Sequence, residues 1–443
     1  MLQIIALVVV AITIYLLIKQ YETRMVLIGS GLVMCLLMFT TKDGFTPLAG
    51  FMAGLDSFGE RMTNASLIQA ICASMGFAFV MKYTKCDMQL VQALAGMMNN
   101  LGFFLIPMTV VVTYFINIAI PSAAGCAAAV GATLIPLLIG ARIHPAIAGA
   151  AVLSGTFGAF LSPGTSHNVF VANLYNEVMV GTEGFAKMEV MDIIRGHSTA
   201  TIIAGIIATV ALSVVALVRK EYRIAPTEDA VTAEGEEKQK GKTNYLYATA
   251  PFVPLVLLLI AGLTHWFGTV KMSVPSAMVI GALYALLITR SNPAEMTKQF
   301  FSGMGKAYCD VMGIIIAAAV FAAGLKTSGL INSFISFLTE NPEMARWGGT
   351  IGPFLMGIIT GSGDAAALAF NETVTRHATS LGYSIPDLGM AAAISGGLGR
   401  TMSPIAGVTI VCAGLAAANP VELVKRSAPG MIICVIFLAL YML

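Results

Sequence analysis

The chain has 443 residues, 57% of them hydrophobic and only 11% charged, with a mean hydropathy of +0.84. Soluble domains carry about 25% charged residues, so a water-soluble globule is excluded, and a net charge of +2 is too small to point to nucleic acid. The seven cysteines (35, 72, 86, 126, 309, 412 and 434) lie mostly within apolar runs without paired spacing. They read as small buried hydrophobes, not as a disulfide framework or a metal knuckle.

A helix that spans a bilayer needs about 20 apolar residues. The first candidate, 2–18, has no basic segment ahead of it and no small-residue cleavage site, so it reads as a retained span. Further spans are predicted at 25–41, 64–81, 146–175, 198–218, 246–266, 273–289, 308–325, 386–414 and 427–443, ten in all. Residues 219–245 are polar, charged and poor in aromatics, as a linker is. They separate an N-terminal unit, 1–218, from a C-terminal unit, 246–443.

Two more apolar stretches, about 103–139 and 348–378, are broken centrally by small polar clusters, NIAIPSAAG (117–125) and GSGDAAA (361–367). Arms of about 15 residues rise roughly 22 Å, enough to carry a tip past the midplane. Both stretches are therefore predicted to be re-entrant hairpins. The alternative, two short crossing helices in each, would raise the total to twelve to fourteen spans.

An internal repeat ties these segments together. AVLSGTFGAFLSP (151–163) and AAISGGLGRTMSP (392–404) share six of thirteen positions at an offset of 241, and Pro145/Pro386 keep that offset, with Ser122/Ser362 at 240. Gly, Ser and Pro would open the backbone ladder of both segments, and paired broken helices point to a transporter's binding site. With the N-terminus outside, cytoplasmic segments hold sixteen Lys and Arg and external ones eight, as the positive-inside rule prefers. Five spans per half is odd, so the second half enters the membrane upside down. The predicted fold is an all-α polytopic membrane protein of two inverted repeats, each with about five transmembrane helices, a re-entrant hairpin and a broken helix. Both termini are placed in the periplasm.

Arg400 alone among the 25 Lys and Arg falls inside a predicted span. A central charge costs about 2.5–3.5 kcal/mol on insertion scales, so it should face a cavity and an anionic partner. Its planar fork matches a carboxylate bidentately, as a lysine does not. The partner is either a substrate or a fixed carboxylate, Asp364 or Glu372. Asp364 itself reads as a proton carrier, a cation ligand or that partner. Asn371, Glu372 and Asp310 join it as coupling-ion candidates, and the two glutamate and aspartate side chains fit an aqueous entrance equally well. The stretch SPGTSHN (162–168) offers hydroxyls and freed backbone groups to a carboxylate or ion, and a helix N-terminus suits an anion. His167 either binds a carboxylate, titrates near neutral pH or is structural, and Asn168 stands the same way. GSGDAA follows no strand, so a nucleotide site is a poor reading. No cofactor is expected.

At TGSGDAAALAF (360–370), LGRTMSPIAGV (398–408) and NPVELVKRSAP (419–429), with weaker likeness over most of the chain including IPSAAGCAAAVGATLIP (120–136), the sequence resembles the DcuC-type anaerobic four-carbon dicarboxylate carriers of the ion transporter superfamily. The resemblance implies an inner-membrane secondary carrier that takes up, exchanges or exports succinate, fumarate, malate or a related acid, driven by protons or sodium, and often assembled as a homodimer. On that basis Arg400, Thr401 and Ser403 would grip one carboxylate. Ser162, Thr165, Ser166, His167 and Asn168 would receive the other. The tips at Ser122 and at Ser362, Gly363 and Asp364 would close over the site and contact substrate or a cation such as sodium. Other organic anions or amino acids are the nearest rivals, and a channel or membrane scaffold is a more distant one.

Overall fold

The computed structural model describes residues 2–19, 21–37, 47–95, 102–223, 243–263, 272–330, 333, 340 and 342–443. Among the described residues seven helices are long and apolar enough to cross a membrane, so the chain is a multi-pass membrane protein. Most of the linker, 224–242, and the ends of two predicted spans, 38–41 and 264–266, lie outside the described residues.

Helix starts follow capping chemistry. Asn64, Ser273, Asn292, Ser384 and Asn419 each accept a hydrogen bond from a backbone N–H of the first turn, which satisfies donors a helix leaves open. Proline in the first turn reinforces the starts after 273, 292, 384 and 419, where its missing N–H is harmless. The last helix, Pro420–Tyr441, therefore begins ahead of the apolar run at 427 and takes in Glu422 and Arg426.

Other segments differ from expectation for similar reasons. The predicted span 308–325 is the apolar part of a longer rod: Pro293–Ala307, a wide turn at Tyr308–Met312, then Gly313–Thr327. Glu295, Lys298 and Lys306 give the first part a polar face that an apolar scan skips. Helices Pro47–Met62 and Cys86–Ala95 are missed for the same reason. Within 246–266, Pro251 sits in a tight turn between Tyr245–Thr249 and Val253–Leu263.

Each interrupted stretch forms two helices. The first hairpin pairs Leu105–Ala119 with Ala123–Gly140, and the second pairs Pro342–Thr360 with Gly363–Thr373. Their tips share one geometry. Ser122 (φ −125°, ψ 112°) accepts from the Gly125 N–H, and Ser362 (φ −125°, ψ 105°) accepts from the Ala365 N–H. The first broken span runs Pro145–Gly155, a turn at Gly158–Leu161, then Ser166–Met179; the second runs Ile385–Thr401, then Gly407–Leu415. Pro163 and Pro404 lie within the breaks, three residues before the new helices begin.

The halves interlock. Ala123–Gly140 packs on Gly407–Leu415, and Gly363–Thr373 packs on Ser166–Met179, so each hairpin meets the other half's broken span. Two ion clusters brace the bundle. Arg61 bonds Glu177 at 2.8 Å and Glu372 at 2.9 Å, while Arg376 reaches the same carboxylates at 3.1 and 2.9 Å. Elsewhere Arg426, 2% exposed, grips Glu221 at 2.5 Å and Glu422 at 2.7 Å.

Candidate functional site

A cavity of about 320 Å³ lies between the halves, at the lower end of the roughly 300–1,000 Å³ typical of small-molecule sites. Four helix N-termini meet its wall: Ser122, Ala123 and Ala124; Thr165, Ser166 and His167; Ser362, Gly363 and Asp364; Gly407 and Val408. The two hairpin starts are capped by Ser122 and Ser362. The two broken-span starts, at Thr165 and Ala406, have no side-chain cap. Each uncapped start keeps backbone N–H groups and the positive end of a helix dipole for an anion.

Arg400 lines the same cavity. It sits in the last turn of Ile385–Thr401, where helix carbonyls favour a cation. Its Nη2 donates to the Thr156 carbonyl at 3.1 Å and to Thr156 Oγ1 at 3.3 Å, while its buried Nε has no partner among the described residues. The Thr156 carbonyl is available because the helix ends at Gly155. Neither Asp364 nor Glu372 bonds Arg400, so the fixed ion pair weighed from sequence does not form. The guanidinium keeps unused donors beside the cavity.

Asp364 instead meets His167 across the two halves, Nε2 to Oδ1 at 2.9 Å. His167 is 3% exposed and its Nδ1 has no partner among the described residues. Phe160, which also lines the cavity, lies beside the imidazole with ring centres 5.4 Å apart. Half of the Asp364 side chain remains open to the cavity.

Of the other residues nominated from sequence, Ser122, Thr165, Ser166, Ser362 and Gly363 reach the cavity. Ser162 borders a separate crevice of about 10 Å³, room for no more than about one water. Ser403 is fully buried with its hydroxyl unpartnered, and Thr401 bonds the Gly397 carbonyl within its own helix. Asn168 donates to the carbonyls of Phe160 and Ser162 and receives His197 Nε2 on its Oδ1, so it satisfies backbone freed by the break. Asn371 is engaged too, donating to the Gly389 carbonyl of a neighbouring helix and accepting from Thr375. Glu372 belongs to the Arg61 cluster, and Asp310 pairs with Lys306 at 2.7 Å on an exposed surface.

Two contributors escaped the sequence reading. Thr156 holds Arg400, and its only signal was a polar residue between Gly155 and Gly158. Asn117 is buried and joins the first tip to the first break, donating to Ile120 O at 3.0 Å and accepting from the Ala159 N–H at 2.8 Å. Its place in the NIAIPSAAG cluster was visible; its role was not.

Residues 1–443 match the family described as DcuC, C4-dicarboxylate anaerobic carrier. An uncharacterized transporter of Haemophilus influenzae is 50% identical over 292 residues, 64% of this chain and 100% of its own. The anaerobic C4-dicarboxylate transporter DcuC of Escherichia coli is 32% identical over 196 residues, 42% of each chain. That of Vibrio cholerae is 25% identical over 445 residues, 94% of this chain and 91% of its own. Two solved structures share the fold: Neisseria gonorrhoeae MtrF, with TM-score 0.65 and 10% identity over 94% of both chains, and Alcanivorax borkumensis YdaH, with TM-score 0.61 and 13% identity over 94% and 97%.

Proposed function

Because the chain belongs to the DcuC family of C4-dicarboxylate anaerobic carriers, and so is a membrane transporter and not an enzyme, we propose that it is a secondary active carrier of succinate, fumarate, malate or a closely similar diacid. The observation that carries this reading is the convergence of Arg400 and two uncapped helix N-termini on one small cavity. Arg400 holds one carboxylate by its fork. The amides at Ser166 and Gly407 and the hydroxyl of Ser166 receive the other, while Thr165, whose hydroxyl donates to the Ala159 carbonyl, holds the break in shape beside them. The hairpin tips at Ser122 and Ser362 close the cavity.

Transport then proceeds by alternating access, the hairpins and broken spans moving against the remaining helices, in the inner membrane and coupled to protons or sodium. The matched tips and breaks, with the Lys and Arg bias, support an inverted repeat with both termini in the periplasm. Purified protein in liposomes should take up labelled succinate, and internal unlabelled succinate should accelerate that uptake, as a channel would not. An Arg400→Ala protein that transports at the wild-type rate defeats the assignment of that residue.

A second reading has one observation behind it. The cavity presents a carboxylate, Asp364, together with Arg400, an arrangement that would also suit the ammonium and carboxylate of an amino acid. A panel of labelled diacids and amino acids in the same liposomes separates the two.

A further inference from the structure

The cavity holds one fixed cation, Arg400, and one fixed carboxylate, Asp364. Their charges cancel, so a dicarboxylate that enters leaves the cavity's side chains and cargo with two net negative charges, offset only by the partial charges of the helix N-termini. We propose that the His167–Asp364 pair is the proton site of this carrier, binding one proton when a dianion occupies the cavity and releasing it when the dianion leaves. The proposal rests on the dicarboxylate reading above and deepens it.

The geometry suits the task. The pair joins residues 197 apart in sequence, each in the first turn of a helix whose N-terminus faces the cavity. An ionised carboxylate only accepts, so a neutral His167 donates its Nε2–H to Asp364 and keeps its proton off Nδ1. That nitrogen is buried and unpartnered. It can therefore take a proton without breaking the contact that positions the ring. The imidazolium stays tied to Asp364 through Nε2 and adds a positive charge beside Arg400.

The step is a protonation alone. An N–H bond forms at Nδ1 with a proton from water that reaches the buried ring as the hairpin tips part on one side, and that proton returns to water when the cargo is released on the other side. Nothing is oxidised or reduced. By linkage, a dianion that raises the pair's affinity for a proton is itself bound more tightly by the protonated pair.

The charged surroundings leave this pair as the titrating unit. Arg400 acts on Asp364 from Ile385–Thr401, and the Cys126 and Cys412 thiols face Arg400. His197, on Val190–Val218, is fully engaged with Thr201 and Asn168. Glu177 lies ten residues from His167 on its helix, and Glu372 eight from Asp364 on its own, separations of about 15 and 12 Å along the axis. Lys82 and Lys326 sit in the last turns of Ala65–Thr84 and Gly313–Thr327. Asp387 is half-buried and Arg195 exposed, paired with Ser384 and Asp192.

The test is succinate binding to the purified full chain by calorimetry in two buffers of different ionisation enthalpy, at mildly alkaline pH where free succinate is a dianion. The wild type should take up about one proton per succinate, and its apparent affinity should weaken by up to about tenfold per pH unit on the alkaline side. Asp364→Asn and His167→Gln should lose both the uptake and the pH slope, whatever affinity they keep. Wild-type binding without proton uptake, or uptake unchanged in both variants, overturns the proposal. If neither variant binds, infrared difference spectra of the wild type decide: an imidazolium band must appear on adding succinate, and an unchanged neutral ring overturns it. Succinate binding with no proton uptake defeats this proposal alone. Failure of every diacid to bind defeats the dicarboxylate reading and takes this one with it.

Discussion

Gly158 and Gly399 occupy matching places in the two halves. Each lies against a hairpin arm so closely that a Cβ would overlap the carbonyl oxygen of Tyr114 in the first case and of Phe354 in the second. The offset is 241 for the glycines and 240 for their partners, so the same backbone-to-backbone contact is built twice.

A methyl group at either position has nowhere to go, because the opposing atoms are backbone. Gly158→Ala and Gly399→Ala should each destabilise the protein by about 1–3 kcal/mol, the usual scale for overpacking. Thermal unfolding in detergent would show it. Gly414→Ala serves as the control, since a Cβ there meets nothing within 4 Å, and its melting temperature should stay at or above that of the wild type.

Arg400 and Thr156 make a separable pair of predictions. Arg400→Lys keeps the charge but lacks the fork, so uptake should fall by at least about tenfold, equivalent to about 1.4 kcal/mol. Thr156→Val removes the Oγ1 acceptor and leaves the carbonyl. Its effect should be that of one hydrogen bond, about 0.5–1.5 kcal/mol, seen as a modest rise in KM for the carried acid. An unchanged KM in Thr156→Val would mean that the carbonyl alone fixes the guanidinium.

Much of the scaffold was legible because the membrane forces it. Long apolar runs have to be helices, and paired Gly-Ser-Pro interruptions have to be breaks lining something polar. The chemistry was harder to read because it lies in what the halves do not share. The repeat partners of His167, Asp364 and Arg400 are Val408, Ala124 and Ala159, so a comparison of the halves finds the cavity and misses its charges. Polar residues in a broken segment also look alike in sequence. Asn168, Asn371 and Thr401 resemble ligands, yet their side chains are spent on backbone carbonyls, those of Phe160 and Ser162 at the first break for Asn168 and those of Gly389 and Gly397 within one helix for the other two. Amphipathic helices such as Pro47–Met62 escape any scan for apolar runs.

Asn168 gives that distinction a measurement. Asn168→Ala removes the side-chain donor from the Phe160 carbonyl, leaves the Ser162 carbonyl with only the Thr165 N–H, and takes the acceptor from His197 Nε2. It should destabilise the fold by about 1–3 kcal/mol, the penalty for buried groups left unpaired. Selectivity among diacids should not change. A shift in selectivity with stability intact would return Asn168 to the binding site.

Glu372 and Glu177 share two arginines but not one environment, with side chains 6% and 33% exposed. Water screens the second more than the first. Glu372→Gln should therefore be the more damaging, by about 1–3 kcal/mol, and a Glu177→Gln/Glu372→Gln double mutant should lose less than the two singles together because both act through Arg61. Additive losses would show that the four side chains do not work as one cluster.

At the other cluster, burial raises the Glu221 carboxyl, but hydrogen bonds from Arg426 and Arg219 outweigh it and hold the group below its ordinary 4.5. A carboxylate held low in the folded state stabilises fully above its unfolded value, and that contribution disappears as pH falls through the folded one. Stability should therefore decline below about pH 4.5, and Glu221→Gln should flatten that acid limb while lowering stability at neutral pH, since Arg426 then keeps only Glu422. Melting curves across that range, wild type against variant, read the difference directly. Parallel acid limbs would remove Glu221 from the account, because an ion pair that tethers the loop after Val218 to the last helix cannot be protonated without loosening it.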